Sequence, residues 1–528
     1  MKARVTFSAI ALLALTATSA FGASNLRYIR ERQAQAHRQA IARYQLSKAA
    51  QAASAAASKK TSWLKIKNAR AQKYEVDGAN IPLVDFDPGP SWSGLMPISS
   101  KANETRQLFF WFWPAKQPSK DLIFWTNGGP GCSSLKGFLQ ENGPITWPAG
   151  IAKAVDNPYS WTNLSNVLWV EQPVGTGFSQ GKPNIHNNDE LAAQVAGFLK
   201  QFLSIFKELQ GSNFYVTGES YAGLYVPYIA NYLYEHPKTV PLTTKGIWIA
   251  DPAIADDYVT EYVPAVPFMN KWKDIFAFDS AFVAKINASY EKCGYKKFFE
   301  KYLVYPPAGV QPIPPEFSKY GDDCYLFDDI INHAIGINPA FNYYRITDMP
   351  AILWDVTGFP GSFPMAQTRP LYFDRSDVKT AIHAPQNVDW KVCTDTEVFV
   401  NGEDDSLPSI IHALPNVIEK SAKTIIVHGL LDMVLIAEGT RIAIQNCTWN
   451  GRLGFQKKPA VGNLRIDAGL GVSFEQFNGG QDGVTGSWHE ERGFTYVEIN
   501  LSGHMAPQYA PASSYKTVQY LLGQIDSL

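Results

Sequence analysis

The sequence predicts an α/β fold: a largely parallel central sheet flanked by helices, with a cap inserted into it. Three observations carry that expectation. From about Tyr74 onward, short apolar runs ending in Gly, Pro, Asn or Asp recur along the chain. Segments of helical period stand between them. The alternation then breaks between Asp256 and about Arg375, where the composition changes. Strands buried on both faces of a parallel sheet read as continuous apolar runs, and helices cross between them.

The elements follow in chain order. Residues 1–22 read as a signal peptide. Lys2 and Arg4 form its charged start, VTFSAIALLALTA its apolar run, and small residues offer cleavage after Ala20 or Gly22. That run is short for a membrane span. Residues 23–73 form a basic leader or pro-segment, with 12 Lys/Arg and a single acid, Glu31, over 24–73. It either docks on an acidic body or is dispensable. Residues 74–528 carry 33 basic against 47 acidic residues, a balance that points away from a nucleic-acid partner. The tail QYLLGQIDSL lacks the apolar run of a lipid-anchor signal, so no stable membrane anchor is expected.

Within 74–528, the runs ETRQLFFWFWPA, LIFWTNGGP, NVLWVEQP, NFYVTGES, KGIWIADP, TIIVHGLLD and FTYVEINLSGH read as strands. Asp189–Gln210 is the clearest helix, because Leu191, Val195, Phe198, Phe202, Ile205 and Leu209 recur every three or four residues. The stretch of about 256–375 is rich in Tyr, Phe and Pro and too long for a structureless loop, so it reads as a cap. Five cysteines fit an oxidising compartment with two bridges and one thiol left over. Sequons at Asn103, Asn163, Asn287 and Asn446 are candidate glycan sites. A fifth, Asn500, lies four residues before a candidate active-site histidine and is expected to stay bare.

The chemistry centres on TGESYAG. A serine on a sharp turn between a strand, FYVT, and a helix, YAGLYVPYIANYLYEH, has the form of a nucleophile elbow. The usual second glycine is Ala222 here, and Gly223 follows it. An acyl-accepting serine needs a base, and the base needs an orienting acid, in the chain order Ser, acid, His. His504 follows strand FTYVEINL at the correct end, and Asp432 lies just past strand TIIVHG. Asp251 is the alternative acid, although beside Pro252 it reads as a turn residue. His428 and His489 read as ordinary polar groups. The oxyanion needs two aimed N–H donors. Tyr221 supplies one, and the glycine-rich loop TNGGPGCSS, residues 126–134, supplies the other. A phosphate loop is the competing reading of that segment, but Pro130 removes a donor and no P-loop lysine pattern follows.

Together, WTNGGPGCSS, ENGP, TGESYAG, HGLLD and SGHM resemble the serine carboxypeptidase family of α/β-hydrolases, over roughly Gly94 to the C-terminus. GLLDMVLIAEGTRIAIQN is most similar to the fungal secreted branch. The resemblance implies an α/β-hydrolase fold and the triad Ser220, Asp432 and His504. It implies Gly129 and Tyr221 as oxyanion donors. It assigns the substrate's terminal carboxylate to Trp125, Asn127, Gly128, Glu141 and Glu219, and a leaving-group pocket to Met505. It also implies bridges Cys132–Cys393 and Cys293–Cys324, leaving Cys447 free. Where the family often has a cysteine after the aspartate, this chain has Met433-Val434-Leu435.

Glu219 raises a question, because a carboxylate beside the nucleophile opposes the negative charge that acyl transfer builds. Two carboxyls held together cannot both readily ionise, so one keeps its proton. If Glu219 faces Glu141, the pair can donate a hydrogen bond to the free end of a peptide. The expected activity is therefore release of C-terminal amino acids from peptides and proteins, favoured in acid, through an acyl-enzyme. An acyltransferase or esterase on the same scaffold is the alternative, and a non-catalytic protective protein a more distant one. No metal or organic cofactor is expected. The expected location is outside the cell or in the vacuole.

Overall fold

The computed structural model describes Glu31, Arg32, Gln35, Arg38 and residues 63–312, 324–348, 355–358, 370–459, 462–466 and 483–528. The chain divides into two units. One comprises residues 1–60 and 467–477, of which only Glu31, Arg32, Gln35 and Arg38 are described, all helical. The expected signal peptide and most of the leader thus lie outside the described residues. The other unit, 61–466 with 478–528, holds everything below.

Among the described residues one sheet has eleven strands. They are β1 Glu75–Val76, β2 Ser91–Pro97, β3 Gln107–Trp113, β4 Asp121–Thr126, β5 Asn166–Glu171 and β6 Asn213–Glu219. The rest are β7 Thr243–Ala250, β8 Lys423–Gly429, β9 Gly462–Ile466, β10 Gly483–Glu491 and β11 Phe494–Ile499. Their spatial order is β1-β2-β3-β5-β4-β6-β7-β8-β11-β10-β9. The six central strands, from β5 to β11 in that order, pair in parallel. The flanking pairs are antiparallel.

All seven expected strands are present, though ETRQLFFWFWPA (β3) runs antiparallel to its neighbours. The strands not read from sequence are β1, β2, β9 and β10. β10, GVTGSWHEE, is only partly buried and has no continuous apolar run to mark it.

Helix α1, Asn188–Ile205, starts where the Asn187 side chain accepts the Glu190 N–H, 3.0 Å. It ends earlier than its apolar period predicts, giving way to a 3-10 turn at Lys207–Leu209. Its Phe198 and Phe202 rings pack on Phe110 of β3 at 6.2 and 5.3 Å. Alternation along β3 sends Phe110 and Phe112 to that face and Trp111 and Trp113 to the other. Residues of 63–73 cover the open end of α1. Asn68 Nδ2 donates to Ile205 O and Arg70 Nη2 to Ser204 O, at 2.8 and 2.7 Å, filling carbonyls that a helix end leaves unpaired.

Helix α2, Ala222–Glu235, follows the serine turn. Among the described residues between β7 and β8 stand α3 Val263–Lys271, α4 Ser280–Lys292, α5 Tyr295–Tyr302 and α6 Leu326–Ile337. Cys293–Cys324 ties the α4–α5 junction to the start of α6, and Cys132–Cys393 joins residues 261 positions apart. Cys447 is buried and unbridged. Among the described residues no helix is long and apolar enough to cross a membrane.

Candidate active site

Ser220, Asp432, His504 and the loop 126–134 lie at or just past the C-terminal ends of parallel strands, where the turns leave side chains and N–H groups free to converge. Ser220 follows β6 with φ +64°, a left-handed backbone that non-glycine residues rarely adopt. The end of β7 and the turn after it hold it there. Its N–H donates to Ala250 O at 3.0 Å, and its carbonyl accepts the Ala253 N–H at 2.9 Å. The turn is tight: a Cβ on Gly218 would sit 2.4 Å from Thr126 O and 2.7 Å from the Ala222 Cβ. Alanine at 222 therefore fits only because 218 is glycine.

Asp432 and His504 meet across the ends of β8 and β11. His504 Nδ1 lies 2.8 Å from Asp432 Oδ2, with Asp432 wholly buried. Val434 N–H donates to Asp432 Oδ1 at 2.8 Å, so the carboxylate is held at both oxygens. The His504 N–H donates to Tyr344 O at 2.8 Å, and the Tyr344 ring meets the imidazole edge to face at 5.4 Å. Tyr344 was not legible as a neighbour of His504, since it lies in the distant Tyr-, Phe- and Pro-rich stretch of 256–375. Met505, next in the chain, is buried.

The loop 126–134 lies directly against the serine turn. A Cβ on Gly128 would fall 2.4 Å from Tyr221 N and 2.9 Å from Ser220 Cβ, so only glycine allows that approach. Among the described residues neither Gly129 N–H nor Tyr221 N–H has a protein acceptor. The Tyr221 hydroxyl donates to Asp404, which fixes the ring.

The carboxyl pair is also assembled. Trp125 Nε1 donates to Asn127 Oδ1, 2.8 Å, and thereby turns the Asn127 amide. Asn127 Nδ2 then donates to Glu219 Oε1 at 2.7 Å and lies 3.4 Å from Glu141 Oε1. The two carboxyls thus converge on one amide nitrogen, and two buried carboxyls that close do not both readily ionise. Burial first, and the Glu141 charge second, push Glu219 well above the usual carboxylate range. The Oε2 of each has no N–H or hydroxyl donor from the protein.

One member of this cluster was missed in the sequence. Lys136 Nζ is 3.2 Å from Glu141 Oε1 and 3.9 Å from Glu219 Oε1, and is buried. It sits on the short helix Ser134–Gly137, and Glu141 on the π turn that continues it. A lysine five residues before a glutamate reads as a solvated pair, and only the burial of this helix makes it otherwise.

Asp251 and His428, left aside in the sequence, lie behind Asp432. Both are fully buried. His428 Nε2 is 3.5 Å from Asp251 Oδ1 and 3.8 Å from Asp432 Oδ2, and donates to Leu435 O at 2.7 Å. These three side chains are close enough for a divalent ion. The arrangement does not fit one, because a nitrogen that donates to a carbonyl is not available as a ligand.

The fold and this site define an α/β-hydrolase built around a serine turn. The family model described as serine carboxypeptidase matches residues 82–524, and the chain belongs to that family. It is 44% identical over 474 residues to a probable serine carboxypeptidase of Arthroderma benhamiae, covering 87% of this chain and 88% of the relative. It is 44% identical over 478 residues to serine-type carboxypeptidase F of Aspergillus niger, with the same coverage. Among solved structures it is similar to a prohormone-processing carboxypeptidase, Kex1, from Saccharomyces cerevisiae. The TM-score is 0.67 at 22% identity, over 86% of this chain and 96% of that one, a likeness of fold.

Proposed function

We propose that this chain releases C-terminal amino acids from peptides, with Ser220 as nucleophile, His504 as base and Asp432 as the acid that orients it. The observation that carries the proposal is the buried Asn127–Glu141–Glu219 cluster beside the serine turn. Ser220 Oγ attacks the last peptide carbonyl and passes its proton to His504 Nε2, the nitrogen not bonded to Asp432. Gly129 and Tyr221 N–H groups hold the resulting oxyanion. His504 then protonates the leaving amine as the C–N bond breaks, and water, deprotonated by the same imidazole, releases the acyl group.

Protonated Glu219 and the Asn127 amide donate to the terminal carboxylate, with the Gly128 N–H beside them. Trp125 holds the amide, and Met505 lines the leaving-group side. As pH rises the pair loses its proton and faces a substrate anion with anions, so binding weakens on the alkaline side. The chain is made through the secretory pathway in this reading, supported by its N-terminal segment and two disulfides. Of the candidate glycan sites, Asn103 is exposed, whereas the side chains of Asn163, Asn287 and Asn446 are each engaged in hydrogen bonds.

The test is to digest matched peptides with free and amidated C-termini and read the products by mass. Stepwise loss from the free acid only is expected, and its abolition in a folded Ser220→Ala variant. Internal cleavage of the amidated peptide at equal rates would overturn the proposal.

A further inference from the structure

The mechanism above uses Asp432 but not the acid packed against it. Asp251 follows β7 with φ +44°, and its N–H donates to Val427 O of β8 at 2.8 Å. Its Oδ1 accepts the Gly429 N–H at 2.7 Å. The residue is thus fixed between the serine turn, through Ala250 and Ala253, and the turn that carries Asp432. One carboxyl oxygen of Asp251, one of Asp432 and a ring nitrogen of His428 all lie within 4.8 Å of one another, and of two buried carboxyls that close, one holds a proton.

The surroundings decide which one holds it. Asp432 accepts from His504 Nδ1 and from Val434 N–H, one donor on each oxygen. Asp251 accepts one backbone donor on Oδ1, and its Oδ2 has no N–H or hydroxyl donor. The donors favour charge on Asp432, so the proton sits on Asp251 Oδ2.

The charged and titratable groups facing Asp251 agree. Asp432 and, further off, Glu219 repel a second charge there. His428 supplies no cation, since burial pushes its imidazole down and its Nε2–H is given to Leu435 O. Burial first, then the Asp432 charge, hold Asp251 well above the usual carboxylate range.

We infer that Asp251 is a positioning residue for the hydrolytic reaction: a neutral acid that gives Asp432 a third hydrogen bond from the side opposite His504. The inference rests on the triad reading of the preceding subsection. An acceptor shared among three donors grips the imidazolium less tightly than one shared between two. Asp251 thereby tempers the hold of Asp432 on the catalytic imidazole. Asp251 itself touches no substrate.

The test compares the acid limb of kcat/KM in wild type, Asp251→Asn and Asp251→Leu. Asparagine keeps both bonds, accepting from Gly429 and donating to Asp432, and its limb stays where the wild-type limb is. Leucine removes the donor, and its limb moves up by about one pH unit, a tenfold loss below it. If Asp251 were instead ionised, Asp251→Asn would remove a negative charge and move the limb down, which overturns the inference. A limb unmoved in Asp251→Leu also overturns it. Should Asp251→Leu not fold, the infrared difference between wild type and Asp251→Asn decides. A protonated-carboxyl stretch supports the assignment, and carboxylate bands refute it. Failure of the triad reading looks different, as activity retained in Ser220→Ala and His504→Ala.

Discussion

Two pairs of buried carboxyl groups lie close to the Ser220 turn, Glu141 with Glu219 and Asp251 with Asp432. Both face the same difficulty, that two like charges in a buried site are costly. The first pair has a cation and an amide beside it, Lys136 and Asn127. The second has no cation and relies on N–H donors and a neutral imidazole. The open oxygens differ too. Glu141 and Glu219 each keep an Oε2 with no protein donor, whereas in the second pair only Asp251 Oδ2 does. The first pair is built to meet a third partner, and the second is closed on itself. On the proposed reading, a shared proton serves as a movable grip in one place and as a fixed strut in the other.

The largest expected effect tests the cation. Lys136→Met leaves Glu141 and Glu219 without their counter-charge and should destabilise the fold by about 4 kcal/mol. Adding Glu141→Gln should recover much of that loss, as read from denaturant unfolding of the single and double variants. Additive losses would show that Lys136 does not act through Glu141.

The next sharpens the comparison with an acid that has no acidic partner. Glu171 is buried beside Ser133 Oγ, the Phe178 N–H and Trp390 Nε1, and burial holds it up at about 7. Its folded value lies above its unfolded value near 4.5, so protonation favours the native state. Stability from this group is complete below about pH 4.5 and declines through pH 7 by about 3 kcal/mol, then levels off. Glu171→Gln should flatten that slope, measured as unfolding free energy at pH 4 and pH 7.5. An unchanged slope would place the dependence elsewhere.

The smallest effect concerns the grip itself. Glu219→Gln keeps the Asn127 contact and a donor, but cannot lose a proton. KM for a free-acid peptide in mild acid should change by less than about tenfold, and its rise toward alkaline pH should vanish. A variant whose KM climbs as the wild type's does would end the shared-proton account of that pair.

The central strands and the serine, aspartate and histidine were legible because each sits in a local signal: an apolar run, then a turn, in a fixed chain order. Glu219 drew notice by standing next to a nucleophile. Lys136 gave no such signal, and Asp251, the alternative acid at the end of KGIWIADP, was set aside as a turn residue beside Pro252. Lysine in SSLKGFLQEN and aspartate before proline both have ordinary surface readings, and only tertiary packing buries them. The antiparallel strands β9 and β10 escaped for a related reason. Half-buried antiparallel strands alternate rather than run apolar, and GNLRI and GVTGSWHEE alternate weakly.

Cys132 lies in the loop that presents Gly128 and Gly129 to the serine turn, and its sulfur is bonded to Cys393. The loop therefore takes part of its anchorage from a bond that forms only after the chain has left a reducing environment. A newly made chain held among cytosolic thiols would lack that tether at the very place where a tetrahedral intermediate must be caught.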